Sequence, residues 1–216
     1  MHVVVFAGGT LRPGTAVAEA LSTADLVLAA DGGAAAALQY GYRPAVVLGD
    51  FDSLDPLLLE DLAIHGSDII RLSPHKDETD TELALLEAHK RGATRITLLG
   101  ALGGTRIEHT LANIFLLTSF SDIPTRIIDG PSICWLLTGP DTTAITGSAG
   151  DYLSLIPLTP TVTGIHTTDL AYPLHGATLR LGTPRGVSNE LIRAEATVSI
   201  DQGMLLLIST RRQEVE

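Results

Sequence analysis

In the stretch A-V-V-L-G-D-F-D-S, Ala45 to Ser53, an apolar run gives way to two aspartates, and this pattern indicates the fold of the chain. Its apolar half is continuous and rich in β-branched residues, which predicts a strand buried on both faces. Asp50 and Asp52 follow one residue apart, and such residues share a face in an extended segment. We expect their carboxylates to converge past the strand end, where a hard divalent cation would offset their repulsion. The alternative is a polar turn in which aspartates bond to the backbone.

Similar apolar runs recur through the first half of the chain and predict further strands. They lie at Val3–Phe6, Leu26–Ala29, Asp68–Leu72, Ile96–Leu99 and Arg126–Ile128. Helical patterns separate them, at Thr15–Leu21, Gly33–Tyr40, Pro56–His65, Thr79–Arg91 and Glu108–Ser119. Alternation of strands and helices at this spacing predicts an α/β domain with a mostly parallel, Rossmann-like sheet.

The second half of the chain loses the helical pattern and becomes rich in Thr, Gly and Pro. Its strand-like runs are Ile133–Leu137, Thr142–Thr146, Tyr152–Leu158, Val162–Thr167, Ala177–Leu181, Ala194–Ile200 and Met204–Ser209. Seven short strands with turn signals between them predict an all-β domain, a sandwich or a barrel. We therefore divide the chain into an α/β domain at residues 1–128 and a β-sandwich domain at residues 129–216.

Composition excludes several classes of protein. The net charge of −11 over 216 residues argues against nucleic acid and anionic membrane surfaces as partners. No apolar run approaches the ~20 residues that cross a bilayer, and the N-terminus lacks the basic region of a signal peptide. Cys134 is the only cysteine, so an intramolecular disulfide is excluded and a cytoplasmic location is expected.

Acidic residues, glycines and a few basic residues follow the predicted strands. They are Gly8, Gly9, Asp31, Asp50, Asp52, Lys76, Thr79, Asp80, Gly103, Gly104, Arg106 and His109. Ligands of open α/β sheets bind outside the carboxyl ends of the strands. Glycine loops and helix N-termini favour phosphate, whereas acids repel it unless a metal lies between. The combination indicates a site for a metal-bound polyphosphate.

Simpler explanations exist for single residues of this set. Asp31 could cap a helix, Asp80 could be a first-turn acid, and Lys76 could be a solvated loop lysine. His109 taken alone would more often be structural. The chain contains no P-loop motif and no zinc-ligand spacing. Ser53 lacks the context of a nucleophilic serine.

Several blocks in register resemble the thiamine pyrophosphokinase (thiamine diphosphokinase) family. They are A-D-G-G-A at 30–34, G-D-F-D-S at 49–53, K-D-E-T-D-T-E-L-A-L at 76–85, G-A-L-G-G-T-R-I-E-H-T-L-A-N at 100–113, T-T-D-L-A-Y-P-L at 167–174 and G-V-S-N-E at 186–190. The likeness runs over nearly the whole chain. It implies an α/β domain followed by a β-sandwich, in a homodimer that binds thiamine where the α/β domain of one subunit meets the sandwich of the other.

The resemblance also implies a reaction and residue roles. The pyrophosphoryl group of ATP would pass to the hydroxyl of thiamine, with release of AMP. Asp31, Asp50, Asp52 and Asp80 would hold Mg²⁺ and form the catalytic set. ATP or its phosphates would contact Gly8, Gly9, Lys76, Thr79, Gly103, Gly104, Arg106 and His109. Ser188 and Asn189 would hold thiamine.

The chain departs from the family pattern at four positions. Ala35 stands where Asn is common, Glu108 where Asp is usual, Asp169 where Gly is usual and Ala171 where a basic residue is common. Two alternative functions remain open from the sequence. One is a pyrophosphokinase acting on another alcohol such as a hydroxymethylpterin, and the other is a non-catalytic nucleotide or thiamine sensor.

Overall fold

The computed structural model describes residues 1–52 and 54–215. The chain divides into two compact units, Met1–Gly130 and Pro131–Glu216. Ser53, for which we expect no nucleophilic role, lies outside the described residues. Among the described residues, no helix combines the length and the apolar character that a membrane crossing requires.

The first unit alternates strands and helices as the sequence predicts. Its strands are β1 (His2–Phe6), β2 (Leu26–Ala30), β3 (Val46–Gly49), β4 (Asp68–Arg71), β5 (Arg95–Leu99) and β6 (Thr125–Asp129). Its helices are α1 (Thr15–Ser22), α2 (Gly33–Gln39), α3 (Pro56–Ile64), α4 (Asp80–Lys90) and α5 (Ile107–Ser119). Every predicted element of this unit is confirmed to within one residue at either end.

The six strands of this unit lie in the order β6-β5-β1-β2-β3-β4. Every adjacent pair among them is parallel, which confirms the predicted sheet type. The chain builds outward from β1 to β4 and then returns to place β5 on the other side of β1. Strand order therefore reverses between β1 and β5, which is where open α/β sheets bind their ligands.

Burial and capping explain these local structures. Residues Val3–Phe6 of β1 are fully buried, as expected of a central parallel strand. The Thr79 hydroxyl oxygen accepts a hydrogen bond from the backbone N–H of Glu82 at 3.1 Å, which caps α4. Gly33 begins α2 close to the end of β1. A Cβ at Gly33 would lie 2.2 Å from the carbonyl oxygen of Phe6.

The second unit is built from antiparallel strands. They are β7 (Ser132–Thr138), β8 (Asp141–Thr146), β9 (Tyr152–Pro157), β10 (Thr161–Thr168), β11 (Ala177–Arg180), β12 (Asn189–Glu190), β13 (Glu195–Ile200) and β14 (Met204–Thr210). All seven predicted strands are confirmed to within one residue at either end. The two-residue β12 was not predicted, because a segment so short carries no alternation of apolar and polar residues.

Two sets of four strands share one apolar core in this unit. One set has the order β12-β9-β14-β7, and the other has the order β11-β10-β13-β8. The core takes side chains from both sets, among them Leu153, Leu155, Leu205 and Leu207 from the first and Val162, Ile165, Val198 and Ile200 from the second. Alternate residues of β9 are buried, as expected when one face of a strand packs on a core.

We predict that Gly33→Ala destabilises the protein by about 1–3 kcal/mol, because its methyl group would overlap the Phe6 carbonyl oxygen. Gly32→Ala is a matched control, since nothing lies within 4 Å of the Cβ that it would add. Urea unfolding of both variants measures the difference. Equal unfolding free energies for the two variants would contradict the close packing of α2 on β1.

His2 provides a second prediction, about pH. The residue is 5% exposed, its Nε2 lies 2.9 Å from the Thr97 hydroxyl, and its Nδ1 lies 3.0 Å from the Thr23 carbonyl oxygen. Burial lowers the pKa of His2 below 6.5, so the folded state favours the neutral ring. The stability that neutral His2 contributes is present above the unfolded pKa of about 6.5 and declines as pH falls through that value toward the folded pKa.

In His2→Gln, we expect the unfolding free energy to fall less steeply than in the wild type as the pH is lowered from about 7.5 to about 5.5. His175→Gln, which replaces an exposed histidine, should leave the slope of the wild-type protein unchanged. Urea titrations at several pH values provide the measurement. A His2→Gln slope as steep as that of the wild type would rule out a buried neutral His2 as the source.

Candidate active site

A cavity of about 830 Å³ opens at the carboxyl ends of the parallel strands in the first unit. This volume is within the range of small-molecule sites, roughly 300–1,000 Å³. Every residue that the sequence predicts for the site in this unit lines the cavity: Gly8, Gly9, Asp31, Asp50, Asp52, Lys76, Thr79, Asp80, Gly103, Gly104, Arg106 and His109. The structure thus gathers residues that follow five different strands.

Three carboxylates of this cavity form a cluster that could hold a metal ion. Asp31, Asp50 and Asp52 each offer an oxygen atom, and these atoms all lie within 4.8 Å of one another. The set contains oxygen ligands without sulfur or imidazole, which suits a hard divalent cation such as Mg²⁺. We call these three residues the carboxylate cluster.

The two aspartates that follow β3 converge as expected, but the expectation of an extended segment between them is wrong. They are joined by a turn in which an aspartate bonds to the backbone, which was the alternative. Phe51 between them has a φ of 62°, in the left-handed region. The backbone N–H of Asp52 donates to Asp50 Oδ1 at 3.2 Å, which closes the turn. A bulky residue in this region costs about 1–3 kcal/mol. The Arg71 guanidinium lies 5.1 Å from the centre of the buried Phe51 ring and helps to hold it.

Asp31 reaches the cluster from the end of β2. Its φ of 45° is also left-handed, a conformation that aspartate tolerates. The Asp31 N–H donates to the Leu48 carbonyl oxygen at 2.8 Å, which prolongs the pairing of β2 with β3. A Cβ at Gly49 would lie 3.1 Å from the Asp31 Cβ. Glycine at position 49 therefore permits the close approach of the two strand ends.

Asp80 lines the same cavity but interacts chiefly with Lys76. The Lys76 Nζ lies 3.0 Å from Asp80 Oδ1 and donates a hydrogen bond to the Ser73 carbonyl oxygen at 3.1 Å. The ammonium is close enough to neutralise Asp80 Oδ1, yet this buried oxygen accepts no well-aligned hydrogen bond from the described residues. Asp80 is outside the carboxylate cluster, and its role as a metal ligand stays a prediction.

Glycines bring backbone amide groups to the wall of the cavity. The Gly9 N–H donates to the Gly100 carbonyl oxygen at 2.9 Å, and a Cβ at Gly9 would lie 2.5 Å from that oxygen. Gly103 and Gly104 have φ values of 78° and 96°, which other residues rarely adopt. Backbone exposed in this way can approach an anion closely.

Arg106 and His109 lie where this glycine loop enters α5. The Arg106 Nε lies 2.7 Å from Glu108 Oε1, and this hydrogen bond lowers the pKa of Glu108. Both side chains are exposed, so the pair is a weak contact that a bound anion can rearrange. The exposed His109 follows one turn later in the cavity wall.

Asn113 is a cavity residue for which the sequence predicted no role. It is 6% exposed, and its Nδ2 donates to the Ala101 carbonyl oxygen at 2.8 Å. The bond ties α5 to the loop that follows β5. Two features of the sequence could have identified it. Asn113 is the last residue of the 100–113 block, and it lies four residues after His109, on the same helix face.

In the second unit, Ser188 is exposed, with a φ of 58°, and its N–H donates to the Ser154 hydroxyl at 3.0 Å. Asn189 is buried and binds the backbone of Tyr172 twice. Its Oδ1 accepts from the Tyr172 N–H at 3.0 Å, and its Nδ2 donates to the Tyr172 carbonyl oxygen at 2.8 Å. The roles of Ser188 and Asn189 toward thiamine stay predictions.

The structure explains the departure at Asp169. Its φ is 56°, so the usual glycine of the family pattern stands at a left-handed position. Aspartate tolerates this conformation better than most residues. The Asp169 carboxylate also lies 3.2 Å from the Arg193 Nε. The substitution is therefore compatible with the same backbone path.

Two family models match the chain. Residues 17–128 match the model described as "Thiamin pyrophosphokinase, catalytic domain". Residues 142–205 match the model described as "Thiamin pyrophosphokinase, vitamin B1 binding domain". The two matches lie within the first and the second unit, respectively.

Named relatives and solved structures agree with these matches. A thiamine pyrophosphokinase of Bacillus subtilis is 29% identical over 185 residues, which cover 85% of this chain and 86% of that protein. A rice protein named thiamine pyrophosphokinase 2 is 30% identical, with 79% of this chain and 67% of that protein covered. The crystal structure of a thiamin pyrophosphokinase from Geobacillus thermodenitrificans has a TM-score of 0.82 and 31% identity, and 97% of each chain is covered. That of a Bacillus subtilis thiamine pyrophosphokinase has a TM-score of 0.86 and 28% identity, with 98% of this chain and 100% of that one covered.

We predict that Asn113→Ala destabilises the protein by about 1–3 kcal/mol, because the buried Ala101 carbonyl oxygen loses its side-chain donor. Thr118→Ala on the same helix is the control. The Thr118 hydroxyl donates to the Phe115 carbonyl oxygen in an exposed setting, so its loss should cost less than about 0.5 kcal/mol. Thermal unfolding compares the two, and similar losses would argue against a special role for Asn113.

Proposed function

Since the chain belongs to the thiamin pyrophosphokinase family, we propose that it transfers the pyrophosphoryl group of ATP to the hydroxyl of thiamine. The products are thiamine diphosphate and AMP. One observation supports this activity most directly: the carboxylate cluster and the glycine loops line the same cavity at the β1–β5 switch point. Acids and phosphate-binding backbone occur together where a metal-bound polyphosphate is the ligand.

Mg²⁺ is the metal that we assign to this site. Asp31, Asp50 and Asp52 would hold it, and Asp80 on the same cavity wall completes the proposed set. The donor chemistry fits, because Mg²⁺ prefers carboxylate oxygens together with substrate phosphates. When bound, the ion neutralises negative charge on phosphate oxygens.

Basic side chains and backbone amides hold the triphosphate in this proposal. Gly8, Gly103 and Gly104 offer backbone N–H groups along the cavity wall. Gly9, whose N–H already donates to the Gly100 carbonyl oxygen, lets the backbone approach the phosphates closely. The Arg106 Nε binds Glu108. The two Nη nitrogens of Arg106 are the donors that we assign to phosphate. Lys76, Thr79 and His109 complete the proposed nucleotide contacts.

The chemical step is an in-line displacement at the β-phosphorus of ATP. The thiamine hydroxyl oxygen forms the new bond to phosphorus while the bond to the AMP oxygen breaks. The hydroxyl proton passes to a carboxylate of the cavity. Catalysis then consists mainly of alignment and charge neutralisation by the residues that hold the two substrates.

Thiamine binding is assigned to the second unit, through Ser188 and Asn189. The family resemblance supports this assignment. Asn189 is buried and bonds to the Tyr172 backbone, so its proposed contribution includes holding that backbone in place. The proposed assembly is a homodimer, which sedimentation velocity tests directly. The proposed location is the cytoplasm, where ATP is abundant and a thiol such as that of Cys134 stays reduced.

We predict that Asp50→Asn and Asp52→Asn each lower turnover by about 10²-fold or more, because each removes a negative charge from the proposed metal site. Asp61→Asn makes the same change on the exposed surface of α3 and should keep wild-type turnover. The assay follows AMP and thiamine diphosphate with ATP, thiamine and Mg²⁺, and it is repeated with a chelator.

This assay also separates the alternatives. AMP released in step with thiamine diphosphate supports the enzyme, whereas nucleotide binding without AMP indicates a sensor. AMP release that requires a hydroxymethylpterin in place of thiamine indicates a different acceptor. Near-wild-type turnover in both aspartate variants would reject the assignment of the carboxylate cluster.

A further inference from the structure

A buried carboxylate that the proposed reaction does not use lies at the end of β6. The Asp129 side chain is 6% exposed, and its two oxygens contact three nitrogen atoms of Arg12. The Arg12 backbone N–H donates to Asp129 Oδ1 at 2.9 Å, and its Nε donates to Oδ2 at 2.9 Å. The Arg12 Nη2 also lies 2.8 Å from Oδ2. The two residues are 117 positions apart in the chain.

Such a contact is costly to build, because a buried carboxylate loses its hydration. The forked guanidinium and the backbone N–H together satisfy both oxygens of Asp129. Arg12 keeps 59% of its side chain exposed, so the pair joins a surface loop to the buried end of a strand. Neither residue lines the cavity among the described residues.

The loop that Arg12 belongs to forms part of the cavity wall. It leaves β1 at Ala7 and carries Gly8 and Gly9, which line the cavity. Because β5 lies between β1 and β6, the loop crosses the carboxyl end of β5 before it reaches Asp129. Two hydrogen bonds fix this path: Gly9 N–H to the Gly100 carbonyl oxygen at 2.9 Å, and Gly130 N–H to the Arg12 carbonyl oxygen at 3.1 Å.

Gly8 and Gly9 offer no side chain that could hold the loop where it crosses β5. A Cβ at Gly9 would lie 2.5 Å from the Gly100 carbonyl oxygen, so position 9 has no room for a side chain. Glycine backbone is also the most flexible in solution and loses the most conformational entropy when it is ordered. The Gly9 N–H bond to Gly100 is the one backbone hydrogen bond described within the Gly8–Gly9 segment, so the order of the segment also depends on anchors outside it. Arg12 lies three residues after Gly9.

We propose that Arg12 and Asp129 are positioning residues, which hold the Gly8–Gly9 segment in the conformation that receives the polyphosphate of the nucleotide. This inference rests on the proposed function, since it assigns the backbone of this segment to the phosphate-binding wall of the cavity. The ion pair orders the loop before the nucleotide arrives. Without the pair, nucleotide binding must itself order the loop, and the affinity falls by that cost.

The expected effect is specific for nucleotide binding. Once ATP is bound the loop is ordered in either case, so the chemical step should change little. Loss of the pair should therefore raise KM for ATP and leave kcat nearly unchanged. KM for thiamine should stay the same, because the acceptor is assigned to other residues.

Asp129→Asn is the principal test variant. It keeps an oxygen for the Arg12 backbone N–H and removes the charge that binds the guanidinium. We expect the dissociation constant of Mg·ATP, measured by calorimetry without thiamine, to rise about tenfold. Turnover at saturating ATP should stay within about threefold of the wild-type value.

Matched variants separate positioning from general stability. Arg12→Gln should reproduce the loss of affinity, and Arg12→Lys should restore part of it, because lysine keeps the charge without the fork. Arg43→Gln is the control, since Arg43 pairs with Asp61 at 3.1 Å on the exposed surface away from the cavity wall. It should bind Mg·ATP as the wild-type protein does.

Unchanged Mg·ATP affinity in Asp129→Asn, with or without a lower Tm, overturns the inference and leaves the proposed function intact. If Asp129→Asn does not fold, Arg12→Gln decides by the same criterion, because Arg12 is largely exposed. A wild-type protein that neither binds Mg·ATP nor releases AMP overturns the proposed function together with this inference. A tenfold weaker affinity with near-normal turnover supports both.

Discussion

Mutual repulsion of three carboxylates is the constraint on which the site depends. Oxygens of Asp31, Asp50 and Asp52 lie within 4.8 Å of one another, and like charges at this separation destabilise the fold unless a cation lies between them. Flexible loops would let such side chains move apart. Here the aspartates follow two adjacent strands whose residues are buried, except for the half-buried Leu26, so the rigid sheet edge holds them together.

Backbone geometry contributes as much to this site as side-chain chemistry does. Phe51 stands in a left-handed conformation that redirects the chain between two aspartates. Gly49 leaves room for Asp31, and Gly9 leaves room for the end of β5. These local costs are tolerated because the packed strands around them are stable, which is a common property of functional sites. The result is a cavity that offers negative side chains and amide donors to the same ligand.

The two units use polar residues in different ways. In the first unit, polar residues that follow five different strands line one cavity. In the second unit, buried Asn189 binds both polar groups of the Tyr172 backbone and so fixes a loop of the antiparallel fold. Asn189, which the family resemblance assigns to thiamine, can thus contribute to the proposed site by holding this loop as well as by direct contact.

The sequence by itself determined the elements and the edge of the sheet at which the chemistry collects. Strand and helix limits follow from local periodicity, and parallel strands place their carboxyl ends together, so the cavity residues could be predicted from where the strands end. The structure decided between the turn and the extended segment that the sequence left open at Phe51. Tertiary contacts alone decided the reversal of strand order at β1 and β5 and the contact of Arg12 with Asp129. The reason is physical: periodicity is a property of neighbours in the chain, whereas strand order, backbone strain and the choice of ionic partner depend on atoms that meet only when the chain is folded.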